Sequence, residues 1–273
     1  MIKSKFFYRT AGLLLSLTLL LNALSCSTVA VSGRKQLNLI SNSELLTVSS
    51  QQYREFLREN KPSNSGEQAQ MVKRVGRRIQ GAVERYFRQE GRPNELAGYA
   101  WEFNLIENKE ANAWCMPGGK VVFYSGILPV CRNETGVAVV MGHEVAHAVA
   151  NHGGERMSQS LLAQFGGQAL SAALQSKPQQ TQQLWMTAFG VGAQFGALLP
   201  FSRTQESEAD HLGLIFMAMA GYPPDEALAF WQRMSAQQGG QAPEFMSSHP
   251  SDQSRMSNIK AHLPEARKYY KPN

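Results

Sequence analysis

A chain of 273 residues with 43% hydrophobic and 18% charged positions can bury one good-sized core or two small ones, and that balance excludes a fibrous or intrinsically disordered protein. The formal net charge of +6 falls to +3 when the first 25 residues are set aside, because they hold Lys3, Lys5 and Arg9 and no acid. No Lys/Arg run is interleaved with aromatics, which excludes a nucleic-acid partner.

Residues 1–25 fall into three zones: the basic MIKSKFFYRT, the uncharged AGLLLSLTLLL and the small-residue exit NALSC. That is the layout of a secretory signal. The apolar run is about half of the roughly 20 residues a spanning helix needs, so export and removal are expected rather than a retained transmembrane helix. Cys26, directly after Ala-Leu-Ser, resembles the lipobox cysteine of bacterial lipoproteins, with Ala23 where a leucine is usual. The resemblance implies lipidation at Cys26, and Ser27 in place of an aspartate implies delivery to the periplasmic face of a bacterial outer membrane. Cys115 and Cys131 are then an even pair in an oxidising compartment, where a disulfide between them and two separate buried thiols are both open.

Residues 26–66 are polar and read as a tether and lead-in, with a short helical piece around QQYREFLREN and a flexible break at NKPSNSGE. The remaining domain runs from 67 to 273. Between 67 and 90, Met71, Val75, Ile79 and Val83 recur at helical spacing with Arg and Lys between them, which predicts an amphipathic helix. AWEFNLIEN and KVVFYSGIL, separated by ANAWCMPGG with its Pro-Gly-Gly turn, predict paired strands. Asn133, with Glu134 just inside, caps a helix through VAVVMGHEVAHAVAN that stops at Gly153-Gly154.

Residues 156–200 are small and apolar with few charges and are interrupted by KPQQ, which predicts two helices and a turn. Within them MTAFGVGAQFGALLP is broken by glycines and short for a span, so it reads as a buried or interface helix. A helix from about Thr204 ends at Gly221, another starts at Asp225, and the last opens near SHPSDQSR, where Ser251 can cap it. No internal repeat is present.

The chemistry concentrates in MGHEVAHAVANH, which holds three of the six histidines. His143 and His147 are four apart, hence about 40° apart around a helix, so both imidazoles reach one ion. Glu144 points about 100° from His143, beside the metal rather than on it, where a general base for an attacking water belongs. Val139, Val140, Val145, Ala146 and Val149 make this a buried helix, in which unpaired histidines and a glutamate are costly. A catalytic zinc needs a third protein ligand. His152, nine residues after His143, is turned to the opposite side of a continuous helix and reads as a surface or capping residue.

The better source of that ligand is FSRTQESEADHLG, where Glu206 and Asp210 share a helix face. One carboxylate can bind metal while the other accepts a hydrogen bond from a ligand imidazole. Glu208 faces nearly the other way and is expected in solvent.

The 58-residue gap between His147 and Glu206, together with GHEVAHAVANH, ESEAD and AMAGYPPDEALAFWQRM, resembles the HtpX and type 1 CaaX prenyl protease family. It resembles especially the exported lipoprotein members with a soluble catalytic domain. The resemblance implies that His143, His147 and Glu206 bind zinc, with Glu144 as general base and Asp210 behind the ligands. ANAWCMPGGKVVFYSGIL resembles the family's NAxxxPGG strand, which implies substrate binding at Asn112, Ala113, Gly118 and Gly119 by backbone pairing along a sheet edge. SSHPSDQSR resembles the family's HPxxxxR segment. That implies that His249 steadies an oxyanion or fills the open zinc position in a resting form, and that Arg255 is a second oxyanion partner.

The expected fold is α+β: a mainly helical zincin (gluzincin) metallopeptidase domain with a small antiparallel sheet and an HExxH active-site helix. The expected function is a zinc-dependent endopeptidase with one Zn2+ per chain, held to a membrane by its lipid anchor and cleaving unfolded or misassembled proteins. The outer-membrane assembly machinery is a further candidate partner. The rival reading is a chaperone or assembly factor with little proteolysis.

Overall fold

The computed structural model describes residues 26–29, 32–63, 66–175, 179, 183, 202–236, 244–249 and 253–272. The expected secretory segment 1–25, the stretch 186–200 and the cap at Ser251 lie outside them.

The segment expected as a tether is folded onto the domain. Strands β1 (Cys26–Thr28) and β2 (Lys35–Leu37) form an antiparallel hairpin, with Ser27 opposite Gln36. Helix α1 (Asn42–Glu59) is opened by a capping box: the Ser41 hydroxyl accepts from the Glu44 amide at 3.3 Å, and the Glu44 carboxylate accepts from the Ser41 amide at 3.1 Å. Only Leu45, Ser49 and Tyr53 of this helix are buried, one side chain per turn. Ser49 Oγ donates to the Pro117 carbonyl at 2.6 Å, and Asn104 Nδ2 donates to the Tyr53 hydroxyl at 2.7 Å. A helix that rests on a sheet by so narrow a stripe needs few apolar residues, which is why its composition reads as polar.

Strand β3 (Pro62–Ser63) joins a four-stranded sheet with β4 (Glu102–Ile106), β5 (Ala113–Met116) and β6 (Lys120–Tyr124), in the order β3-β4-β6-β5. Two of the three pairings are antiparallel, while β4 and β6, the two strands expected to pair, run parallel. The Pro-Gly-Gly turn explains this: Gly118 and Gly119 both have positive φ (84° and 78°) and fold β5 back on β6, so the other edge of β6 meets β4 in the same direction. β5 is left at the sheet edge. Helix α2 (Glu67–Gln89) covers the sheet with Val72, Val75, Ile79 and Val83, and Gly76 on the same face admits the Phe103 ring.

After the short α3 (Leu128–Cys131), helix α4 (Glu134–Val149) starts at Asn133, whose side chain accepts from the Gly136 amide at 3.0 Å. It is buried on every face from Gly136 to Ala148, as a central core helix must be. It stops at Ala150. Asn151 adopts the left-handed conformation (φ 56°), and α5 (His152–Leu174) leaves in a new direction. The structure thus replaces the expected continuous helix to Gly153-Gly154 with a corner.

Helix α6 (Arg203–Met219) opens at Ser202 with a second capping box, closed by Gln205. It crosses α4 with the backbones in contact: a Cβ on Gly142 would lie 2.8 Å from the Gly213 carbonyl oxygen, and one on Gly213 would lie 3.0 Å from the His143 nitrogen. The remaining helices, α7 (Glu226–Ala236), α8 (Glu244–Ser248) and α9 (Gln253–Tyr269), complete the domain. Replacing Gly142 by alanine adds about 1 kcal/mol of helix propensity but forces a backbone clash costing about 1–3 kcal/mol or more. The expected outcome is a lower urea midpoint, and a raised midpoint would show that the crossing has slack.

Candidate active site

The α4–α6 crossing brings the expected ligand side chains together. His143 Nε2 and His147 Nε2 are 3.1 Å apart, and Glu206 from the first turn of α6 lies 3.6 Å from the first and 3.3 Å from the second. His249, at the end of α8, places Nδ1 3.2 Å from His143 Nε2 and 2.9 Å from Glu206 Oε1. All four residues are buried. Four ligands around a tetrahedral zinc, with bonds of about 2.0–2.1 Å, stand about 3.3–3.4 Å from one another. The observed edges bracket that length.

Hydrogen bonds alone do not satisfy the cluster. Burial holds His143 and His147 below the ordinary imidazole range, so each is neutral with one ring proton. The His143 proton is committed at Nδ1, 2.9 Å from Asp210 Oδ1, which turns the lone pair of Nε2 toward the other ligands. The donor set of imidazole nitrogens and one carboxylate therefore fits a divalent zinc-like ion.

Burial alone would raise the Glu206 carboxyl, but His147, His249 and Arg255 hold it well below the carboxylate range. Asp210 is treated in the same way: burial opposes ionisation, and Arg255 overcomes it. The Arg255 guanidinium donates to both Asp210 oxygens at 2.8 Å, lies 2.7 Å from Glu206 Oε2 and stacks 3.4 Å above the Trp231 ring.

Glu144 stands beside the cluster. Burial pushes its carboxyl up to about 7, opposed by the nearby His249, whose Nε2 is 3.5 Å from Glu144 Oε1. That oxygen has no hydrogen-bond partner among the described residues. The Cys115 backbone, on edge strand β5, lies against the same carboxyl. A buried carboxyl oxygen with no hydrogen bond, between the histidine cluster and an edge strand, is placed to take a proton from water attacking an extended chain.

The model of peptidase family M48 matches residues 73–263. The chain belongs to peptidase family M48. It is 39% identical over 173 residues to the mitochondrial metalloendopeptidase OMA1 of Schizosaccharomyces pombe, covering 63% of this chain and 49% of that protein. To the protein of the same name in Saccharomyces cerevisiae it is 30% identical over 255 residues, covering 88% of this chain and 70% of that one. To the beta-barrel assembly-enhancing protease of Escherichia coli it is 28% identical over 165 residues, covering 59% of this chain and 34% of that one. The chain thus spans from about a third to 70% of the length of these relatives. Metalloendopeptidase, the enzyme class expected from HExxH, is the class two of the three names carry.

These relatives also correct one expectation. The placement at the periplasmic face of a bacterial outer membrane does not stand, because the OMA1 relatives of both yeasts are named as mitochondrial. Among the described residues no helix is long and apolar enough to cross a membrane, and Cys26 is the first residue of β1.

Two further expectations change in this M48 domain, those for His152 and Glu208, and the open alternative for the two cysteines is decided. No disulfide forms: Cys131 is sealed in the core at the end of α3, Cys115 sits on β5 against Glu144, and both thiols are free and pushed up by burial. Arg255 binds Asp210 and Glu206 inside the protein, with one guanidinium nitrogen 3.3 Å from the His143 ring. His152 is not at the surface. The corner at Asn151 swings it under the ligands, with Nδ1 2.9 Å from His147 Nδ1 and Nε2 3.1 Å from Glu208 Oε2.

Glu208, expected in solvent, is buried and held by Arg34 Nε at 2.9 Å and by the Ser32 hydroxyl. Its carboxyl, which burial would raise, is drawn down to about 2 by His152, Arg34 and Ser32. Arg34 also grips both oxygens of Glu155, at 2.7 and 2.8 Å. The tautomers follow in sequence: Glu208 accepts from His152 Nε2, His152 Nδ1 accepts from His147 Nδ1, and the His147 Nε2 lone pair is turned toward His143 and Glu206. The visible signal was Asn151-His152-Gly153, a residue that tolerates the left-handed conformation just where the helix would otherwise continue. Replacing His152 by alanine is expected to weaken metal binding by about 10–100-fold, measured by competition with a chromogenic chelator. Unchanged affinity would remove His152 from this role.

Proposed function

We propose that this chain is a zinc-dependent endopeptidase, one ion per chain, that cleaves extended segments of unfolded or misassembled proteins. The observation that carries this reading is the buried His143–His147–Glu206 cluster, with Glu144 Oε1 unpaired beside it and edge strand β5 alongside. Zinc, when bound, supplies Lewis acidity to the scissile carbonyl and lowers the cost of ionising water. Glu144 takes the proton of the attacking water at Oε1 and returns it to the departing amine. Residues Asn112 to Met116 offer backbone groups to an extended substrate, and the turn glycines Gly118 and Gly119, both at positive φ, fold that strand back on β6 so that it stands at the sheet edge. Pairing by backbone makes the enzyme tolerant of side-chain identity, which suits unfolded clients.

His249 fills the corner that a substrate carbonyl needs, so the arrangement is read as a resting form from which His249 withdraws. The name of the Escherichia coli relative, a protease that enhances β-barrel assembly, favours misassembled chains as substrates. Within M48 the order of NAxxxPGG, HExxH, ExxxD and HPxxxxR segments favours a place beside the HtpX and CaaX branch.

Glu144→Gln is expected to retain the metal and to lose about 100-fold or more of its rate on an unfolded casein-type substrate, read by release of labelled peptides. Cleavage by the variant at the wild-type rate would remove Glu144 from catalysis. Stripping the wild type with a chelator is expected to abolish cleavage, and zinc is expected to restore it. A wild type that binds unfolded clients and never cuts them, with or without zinc, would establish a chaperone instead.

A further inference from the structure

A second group of metal-binding side chains lies outside the catalytic cluster. His211 on α6 and His262 and Glu265 on α9 place one ligand atom each within 4.8 Å of one another. His211 Nε2 is 2.8 Å from Glu265 Oε2, and the rings of His211 and His262 stack with centroids 3.9 Å apart and planes 14° apart. His211 follows Asp210 directly, so it leaves α6 about 100° away from the face that serves His143 and meets α9 instead. His262 and Glu265 are three apart and share one face of α9.

An ordinary His–Glu surface pair accounts for only part of this. It explains the contact of His211 with Glu265, a weak interaction at a partly exposed position. It does not explain a second imidazole laid flat on the first, whose ring nitrogens have no hydrogen-bond partner among the described residues. Two stacked imidazoles repel each other when both are charged. Burial and the neighbouring His211 hold His262 below its ordinary value, so its lone pair stays available to a cation. Two imidazoles and one carboxylate, with solvent in a fourth position, suit zinc better than calcium or magnesium.

We propose that His211, His262 and Glu265 form a second, weaker zinc site that clamps α6 to α9. Its partial exposure makes it exchangeable at free-zinc levels that leave the catalytic cluster filled. Because α6 carries Glu206 and Asp210 and α9 carries Arg255, an ion there fixes the two helices whose contact holds the carboxylates behind the catalytic ligands. The site stands whether or not the catalytic reading is right.

The test is zinc content of the intact chain after equilibrium dialysis against micromolar free zinc, read by atomic emission. Wild type is expected to hold one equivalent more than either His262→Gln or Glu265→Gln. His147→Ala is expected to keep that equivalent while losing the other, so a failure of the catalytic reading shows separately, as no loss in His147→Ala. Excess zinc is also expected to raise the thermal midpoint of the wild type by a few degrees and to leave both α9 variants unmoved. Glu265 is half exposed, so Glu265→Gln decides the matter if His262→Gln does not fold. Equal zinc content in wild type and in Glu265→Gln would overturn the proposal.

Discussion

The contact between Gly142 and Gly213 sets the distance on which the whole site depends. Two helices packed through ordinary side chains stand about 8–10 Å apart. At that separation a glutamate on one cannot share an ion with two histidines on the other unless its own side chain stretches away from its support. With no Cβ on either side, α4 and α6 meet backbone to backbone, and Glu206 and Asp210 reach His143 and His147 from a helix that is itself buried. The buried charges this creates would each be costly alone. The carboxylates Asp210 and Glu206 are tolerated because Arg255 joins them, and the buried neutral imidazoles are satisfied in turn, His143 by Asp210, His147 by His152 and His152 by Glu208.

The two ligand imidazoles are oriented by different means with the same result. His143 is held by a carboxylate directly, and His147 is held by a carboxylate one ring further away. Both carboxylates come from α6, which therefore supplies a ligand and the support of two others. Trp231, from α7, gives Arg255 a flat surface on which the guanidinium stays planar and aimed at Asp210. The catalytic unit is in this sense a property of α6 and what packs on it, with α4 contributing the groups that α6 arranges.

Much of this was legible in the chain before any coordinates. The spacing of His143, Glu144 and His147 and the four-residue step from Glu206 to Asp210 depend only on helix geometry, and both helices are where the periodicity places them. The apolar repeat from Met71 to Val83 predicts α2 to within a residue of its end. What escaped depends on things that periodicity does not encode. His152 was misplaced because rotation was counted along an unbroken helix, and a single left-handed residue at Asn151 resets the count. Glu208 was misplaced because its face of α6 is covered by His152, Arg34 and Ser32, from parts of the chain far away in sequence. The direction of β4 against β6 depends on which strand the hairpin occupies, and alternation is blind to it. The buttress at Arg34 joins residues more than a hundred positions apart, and sequence separation of that size leaves no periodic trace.

That buttress bears on where the domain ends. The match to the M48 family model begins at residue 73, and a fragment cut there would keep His143, Glu144, His147, Glu206 and His249. It would also leave Glu155 and Glu208 facing one another with the cation that joins them removed. Like charges would then press on His152 and, through it, on the ring of His147. The cooperative unit is accordingly larger than the stretch the family model matches, and the part before it supplies the cation that lets two acids live side by side beneath His152 and His147.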